Sequence, residues 1–366
     1  MSRLFKEFNG RTVLVTGHTG FKGSWLSLWL NLLGARVVGL SIGPPTNPSH
    51  FVSANLESGL IDKRVDLRNA DGVDALITEI APDFVFHLAA QALVSRALKY
   101  PLETFQTNVI GTANLLSSIC GLSKKCVAVI VTSDKCYENQ EWTWGYREID
   151  RLGGKDPYSA SKSAAEMVIR SYLESILPGN SKVQVGVARA GNVIGGGDWA
   201  PTRIVPDCMR AWSVGTPVTL RSPGSTRPWQ HVLEPLSGYL MMAAMLQRSP
   251  ELHKEAFNFG PNADQDKSVQ QLVEMLSKTC TNSGWRSIES SDEQSKEAGL
   301  LKLNCDKAIK WLSWRSTLDF EETVGMTGEW YDSFYSETTK NLKEISTNQI
   351  AHYCELAKRR GLAWAE

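Results

Sequence analysis

Arg11-Thr12-Val13-Leu14-Val15-Thr16 runs without a break into Gly17-His18-Thr19-Gly20-Phe21-Lys22-Gly23. The first six residues are mostly β-branched or aliphatic, the composition of a strand buried on both faces. An apolar helical pattern continues to Leu33, so the glycines fall at a strand-to-helix corner, where backbone N–H groups can approach a pyrophosphate. The spacing is G-x-x-G-x-x-G and not the G-x-G-x-x-G of the commonest dinucleotide fingerprint. Its place after the first strand of an alternating β/α chain favours nucleotide binding over an incidental tight turn. Gly17, His18, Gly20, Phe21, Lys22 and Gly23 are therefore the first candidate cofactor contacts.

Downstream, the alternation continues. Arg36-Val37-Val38-Gly39-Leu40 reads as a second strand that ends at Ser41, without the acidic residue expected to hold an adenosine ribose. No arginine follows closely to hold a 2′-phosphate, which tilts the reading toward NAD over NADP. Val65-Asp66-Leu67 reads as the end of a third strand, with Asp66 either accepting from an adenine amino group or serving as an N-cap or turn residue. Phe84-Val85-Phe86-His87-Leu88-Ala89-Ala90 is a fourth, whose small Ala89 and Ala90 let backbone lie against a flat cofactor; His87 reads as a core histidine. A helical pattern over 100–118 carries Asn108, and strands follow near Val127 and Val183. Parallel strands with crossover helices on both sides make a Rossmann-like doubly wound α/β sheet.

Composition excludes several functions. With 42% hydrophobic and 21% charged residues, the 366-residue chain can bury a substantial core. Its 39 basic and 39 acidic residues cancel, so no basic field recruits nucleic acid. Seven cysteines are scattered without a C-x-x-C pair. That spacing points to a reducing compartment, with no disulfide framework and no metal site. No signal-peptide or membrane-length apolar run is present, and a cytoplasmic protein is the expectation.

The chemistry concentrates in two motifs. Thr132-Ser133-Asp134-Lys135 follows the apolar run Cys126-Val127-Ala128-Val129-Ile130-Val131, so its hydroxyls, acid and amine should emerge at the carboxyl end of a buried strand. Tyr158-Ser159-Ala160-Ser161-Lys162 begins after the helix-start signal Asp156-Pro157. Tyr158 and Lys162, four residues apart, share one helical face, and a nearby ammonium favours the phenolate that takes a proton from an alcohol.

Together, Thr16-Gly17-x-x-Gly20-Phe21-x-Gly23, His87-Leu88-Ala89-Ala90 and Tyr158-x-x-x-Lys162 resemble the extended short-chain dehydrogenase/reductase superfamily and its NAD-dependent epimerase/dehydratase family. Ser133-Asp134-Lys135, in the context Cys136-Tyr137-Glu138-Asn139 and Trp142-x-Trp144-Gly145-Tyr146-Arg147-Glu148, resembles the nucleotide-sugar 4,6-dehydratases acting on CDP-glucose, with lysine where other dehydratases carry glutamate. Similarity continues through Ala190-Gly191-Asn192-Val193-Ile194-Gly195-Gly196-Gly197-Asp198-Trp199, Arg227-Pro228-Trp229-Gln230-His231 and Asn258-Phe259-Gly260-Pro261. The resemblance implies NAD as cofactor, with Asp66, Leu67, Leu88, Ala89, Ala90, Asn108, Tyr158 and Lys162 among its contacts. It implies CDP-D-glucose as substrate, a homo-oligomer built on the helices near 100–118 and 157–175, and a role in bacterial 3,6-dideoxyhexose, O-antigen and lipopolysaccharide synthesis.

Removal of water across C5 and C6 of a hexose needs an acidic C5–H, which a ketone at C4 provides. Tyr158 is then the base for C4 oxidation, with Lys162 lowering its pKa, and Ser133 is a hydrogen-bond partner of the C4 oxygen. Asp134 is the acid at C6, and Lys135 is the C5 base or, alternatively, half of a structural salt bridge. A 4-epimerase of the same fold needs neither of the last two; a catalytically silent NAD-binding protein needs none.

The expected division is a cofactor domain over 1–190, with 230–260 and 318–335 re-entering it, and a sugar-nucleotide lobe from 191–229 and 261–317. Arg203 and Arg227 suit a diphosphate by bidentate bonding. Asn192, Asp198, Trp199, Gln230 and His231 complete the candidate substrate contacts. Helices are expected over 268–277 and 320–335, a polar loop over 282–291, and a helical tail without chemistry over 336–366.

Overall fold

The computed structural model describes residues 4–177, 182–262, 266–279, 283–287, 300–336 and 340–366. Seven strands form one parallel sheet: β1 (Thr12–Thr16), β2 (Arg36–Ser41), β3 (Ile61–Arg64), β4 (Phe84–His87), β5 (Cys126–Val131), β6 (Val183–Ala190) and β7 (Ala256–Phe259). Their order across the sheet is β7-β6-β5-β4-β1-β2-β3, and every neighbouring pair is parallel. The chain winds outward from β1 to β3, then returns to lay β4 on the other side of β1. The crevice opens at that reversal.

Side chains alternate between two cores because a strand repeats every two residues. Val13 and Val15 of β1 belong to one core, and Leu14 to the other. On the Leu14 side lie α2 (Ala70–Ile80), α3 (Gly111–Cys120) and α4 (Pro157–Ser171); on the Val13 side lie α1 (Phe21–Leu32) and α6 (Leu233–Arg248). Between them in sequence, α5 (Ile204–Ser213) opens the part of the chain beyond β6.

Several elements end earlier than the apolar pattern suggests. β3 stops at Arg64 because Asp66 turns the chain, its carboxylate accepting from the Arg68 backbone and guanidinium. β4 stops at His87, which leaves Leu88, Ala89 and Ala90 as the rim of the crevice. The helix expected over 100–118 is a series. Val94–Lys99 and Pro101–Phe105 lead into a π-helical turn at Gln106–Ile110, then into α3. Within 282–291, Trp285–Ser287 is a strand parallel to Val218–Leu220, while 282 and 288–291 lie outside the described residues.

The last helices close the Val13-side core. α7 (Phe320–Tyr335) starts at Asp319, whose capping box with Glu322 satisfies backbone donors at both positions. α8 (Leu342–Arg359) packs on α1, where Tyr353 meets Trp29 edge to face; beyond α8, Trp364 stacks on Phe5 ahead of β1. Among the described residues, no helix is long and apolar enough to cross a membrane.

Candidate active site

The cofactor cradle is made by what is missing. Gly17 has φ +73°, and a Cβ there would sit 2.8 Å from the Ala89 backbone; a Cβ at Gly23 would sit 2.1 Å from the Gly17 carbonyl oxygen. β1, the rim after β4 and the first turn of α1 therefore come within contact distance. No side chain caps α1, whose N-cap is Gly20, so its first N–H groups face the crevice. Lys22, in that first turn, feels Arg203, Asp134 and Lys162. Its amine is lowered to about 7, chiefly by burial and then by Arg203.

At the carboxyl end of β5, Ser133 N-caps a short turn, Asp134–Cys136, its Oγ accepting from the Lys135 backbone at 3.2 Å. The same hydroxyl donates to Asp134 Oδ1 at 2.9 Å. Asp134 is 5% exposed, and its other oxygen faces Gly191, where a side chain would crowd it. Burial raises the Asp134 carboxyl, opposed by Lys135, the Ser133 bond and Lys22. An acid that resists ionisation is what leaving-group protonation requires. Lys135 is half-buried, and its amine forms no ion pair among the described residues.

α4 presents Tyr158 and Lys162 to this turn. Asp156 caps it, Oδ1 accepting from the Tyr158 and Ser159 backbones at 2.9 and 3.1 Å, a geometry typically worth about 1 kcal/mol. Burial pushes the Tyr158 phenol up to about 12, against a hydrogen bond with Ser133 and the charge of Arg203. Lys162, one turn along the same face, is lowered to about 8 by burial. Sharing a helix face brings both side chains to one site.

A cavity of about 390 Å³ leads outward from Asp134, lined also by Gly191, Gln230, Lys302 and Trp144. The other candidates are placed unevenly. Asp66 is tied to Arg68. Leu67 is buried, its carbonyl accepting from Asn114. Asn108 spends its whole amide on Gln91 and Ser161, pinning the loop after β4. Asn192 is exposed past β6. Arg203 pairs with Asp198 at 2.8 Å. Arg227 lies on the short strand Thr226–Pro228. Trp199 packs among Trp330, Tyr331 and Phe334. His231 is buried with its ring edge-on to that of Trp25, and burial lowers it to about 3. His18 is buried, bonded through Nε2 to Asp62 at 3.0 Å. His87 bonds Thr16 and Thr112 on its two nitrogens, a satisfied core histidine.

One group that motif reading passed over underlies the site. Glu166, four residues past Lys162, accepts from Thr132 and grips Arg189 of β6; Arg189 also bonds the Tyr137 hydroxyl at 2.8 Å and packs over its ring. The i, i+4 spacing after Lys162 was the available signal.

The model of the GDP-mannose 4,6 dehydratase family matches residues 14–327. The chain belongs to that family. Its similarity to the CDP-glucose 4,6-dehydratase of Salmonella typhimurium is 43% identity, over 96% of this chain and 98% of the relative. Among solved structures, the epimerase Mth375 of Methanothermobacter thermautotrophicus superposes with a TM-score of 0.76 at 21% identity, covering 94% of this chain and 96% of the other. The UDP-glucuronic acid 4-epimerase of Bacillus cereus, solved with UDP-glucuronic acid and NAD, gives 0.73 at 20%, covering 88% and 100%. Both solved structures share the doubly wound fold of this chain.

Proposed function

We propose that the chain is an NAD-dependent hydro-lyase that converts CDP-D-glucose to CDP-4-dehydro-6-deoxy-D-glucose and water. The observation that carries it is Asp134: a buried carboxyl of raised pKa, bonded to the serine that faces Tyr158, with the amine of Lys135 beside it. A 4-epimerase requires the tyrosine and not the acid. The 43% identity to a CDP-glucose 4,6-dehydratase supports the same substrate here.

The cradle fits NAD: the uncapped start of α1 and the Gly17–Ala89 approach leave room and donors for a pyrophosphate. When bound, NAD supplies the chemistry of accepting the C4 hydrogen and returning it to C6. Tyr158 takes the C4 hydroxyl proton, and Ser133 holds that oxygen. Lys135 removes the proton from C5. Asp134 protonates the departing C6 hydroxyl and, being buried, does so without competing water. Arg203 and Arg227 hold the diphosphate in this reading, and a homodimer forms through the 94–120 helices and α4, which leave Leu102 76% and Met167 60% exposed.

The test is incubation with CDP-, dTDP-, GDP- and UDP-hexoses, with loss of water followed by mass spectrometry. CDP-glucose should react first. Deuterium placed at its C4 should reappear in the C6 methyl of the same molecule, and solvent deuterium should enter at C5. Label lost to water, or crossing between molecules, rejects the single-site reading.

A further inference from the structure

The reading of a dinucleotide cradle leaves its adenosine end undecided, and the register between β2 and β3 bears on it. Gly39 pairs with Asp62 and Ser41 with Arg64. Two layers therefore stack toward the carboxyl edge of the sheet. In the inner layer, His18 lies over Gly39 and bonds Asp62; a Cβ on Gly39 would meet the ring at 2.3 Å. In the outer layer sit Ser41, Thr19 and Arg64. The Ser41 hydroxyl lies 2.6 Å from that of Thr19, which donates to the Gly43 carbonyl at 2.7 Å. The Arg64 guanidinium stands beside the same turn, its Nη1 3.8 Å from where a Gly43 side chain would begin.

The end of β2 is where a Rossmann fold meets the adenosine ribose: a carboxylate there takes the 2′-hydroxyl, whereas an arginine accommodates a 2′-phosphate. This chain has no carboxylate at that point. The acid paired with β2 on β3, Asp62, lies one layer deeper, is 10% exposed, and is engaged on both oxygens, by His18 at 3.0 Å and by Arg64 at 2.5 Å. Arg64 is 39% exposed, and only its Nη2 is used by Asp62. Nε and Nη1 have no hydrogen-bond partner among the described residues, and the guanidinium is braced over the Phe51 ring at 5.7 Å. A braced guanidinium with unused donors is the group that binds phosphate oxygens at more than one point.

We infer that Arg64 is a specificity-determining residue of the adenosine end, placed to bind the 2′-phosphate of an NADP-type dinucleotide, so that the chain takes NADP as well as NAD. The inference rests on the dinucleotide reading and not on the identity of the sugar nucleotide. It supplies from a neighbouring strand the cation that is absent from the sequence after β2.

Calorimetric titration of the full chain with ADP, 2′,5′-adenosine diphosphate, NAD and NADP tests it without turnover. The wild type should bind NADP at least as tightly as NAD, a pair that differs only in the 2′-phosphate. Arg64→Met should weaken the two 2′-phosphorylated ligands about 10- to 100-fold, the loss expected for a charge-assisted hydrogen bond, and should change ADP and NAD by less than about 3-fold. Arg64→Lys, which keeps the charge without the fork, should lose less. Equal weakening of both ligand classes by Arg64→Met would make Arg64 a brace for Asp62 and overturn the inference. So would a wild type that binds the 2′-phosphorylated ligands more than about tenfold more weakly. Absence of ADP and NAD binding would reject the dinucleotide reading itself, and this inference with it.

Discussion

Arg189 holds Glu166 through two hydrogen bonds, Nε to Oε1 at 2.8 Å and Nη2 to Oε2 at 2.9 Å, with both side chains about 5% exposed or less. This pair joins β6 to α4 one turn beyond Lys162. Through Thr132 and Tyr137, it also joins both to the turn that carries Asp134. The two halves of the proposed catalytic set are thus tied to one buried ion pair.

Removing one partner leaves a buried charge uncompensated. Arg189→Met should cost about 3–5 kcal/mol in denaturant unfolding, whereas the double variant with Glu166→Met should recover much of that loss. Equal instability of single and double variants would mean that the pair is not the source of the cost.

Asp134→Asn keeps an acceptor for Ser133 and removes the acid. Product formation should fall by about 10²–10⁴, the typical worth of a positioned acid or base, while the melting temperature stays near the parent's. Lys135→Ala should stop the reaction one stage earlier, after C4 oxidation, visible as accumulated reduced cofactor without loss of water. A Lys135→Ala enzyme that dehydrates normally would remove that residue from the mechanism.

Glu234 is a fully buried carboxyl that ties α6 to the end of the chain, accepting from the Thr317 and Leu318 backbones and from the Tyr353 hydroxyl. Burial raises it from 4.5 to about 7 despite these donors. The folded state therefore binds a proton more tightly than the unfolded state does. The resulting stability is fully present below the unfolded pKa and is lost as pH rises from about 4.5 through about 7, at no more than about 1.4 kcal/mol per pH unit. Unfolding followed across that window should show the slope, and Glu234→Gln should flatten it.

Leu98, Leu102, Ile110 and Met167 project from neighbouring helices with exposures of 52–76%, an apolar face larger than isolated surface residues would make. Met167→Asp together with Leu102→Asp should convert a homodimer to monomer mass in light scattering at micromolar concentration. A parent that is already monomeric would withdraw the dimer reading.

Short-range patterns carried much of this protein. Strand β1 and the glycine corner, the apolar run of β5 delivering Ser133 and Asp134, and the Asp156-Pro157 start of α4 were legible because each depends on neighbours within about one turn or one strand. The periodicities of 2 and 3.6 residues then set which side chains share a face, as Tyr158 and Lys162 do.

Only the tertiary structure decided relationships across the sheet. Arg64 reaches the end of β2 because parallel pairing sets Ser41 opposite it, 23 positions away in sequence, and no local pattern encodes that register. Arg203, 45 positions from Tyr158 in sequence, lowers its phenol because electrostatic influence follows distance and burial in space. For the same reason, Trp199 and His231, which resemblance drew into the substrate set, face buried aromatic neighbours: a motif specifies that a residue is present, and the packing of both cores specifies which way it points.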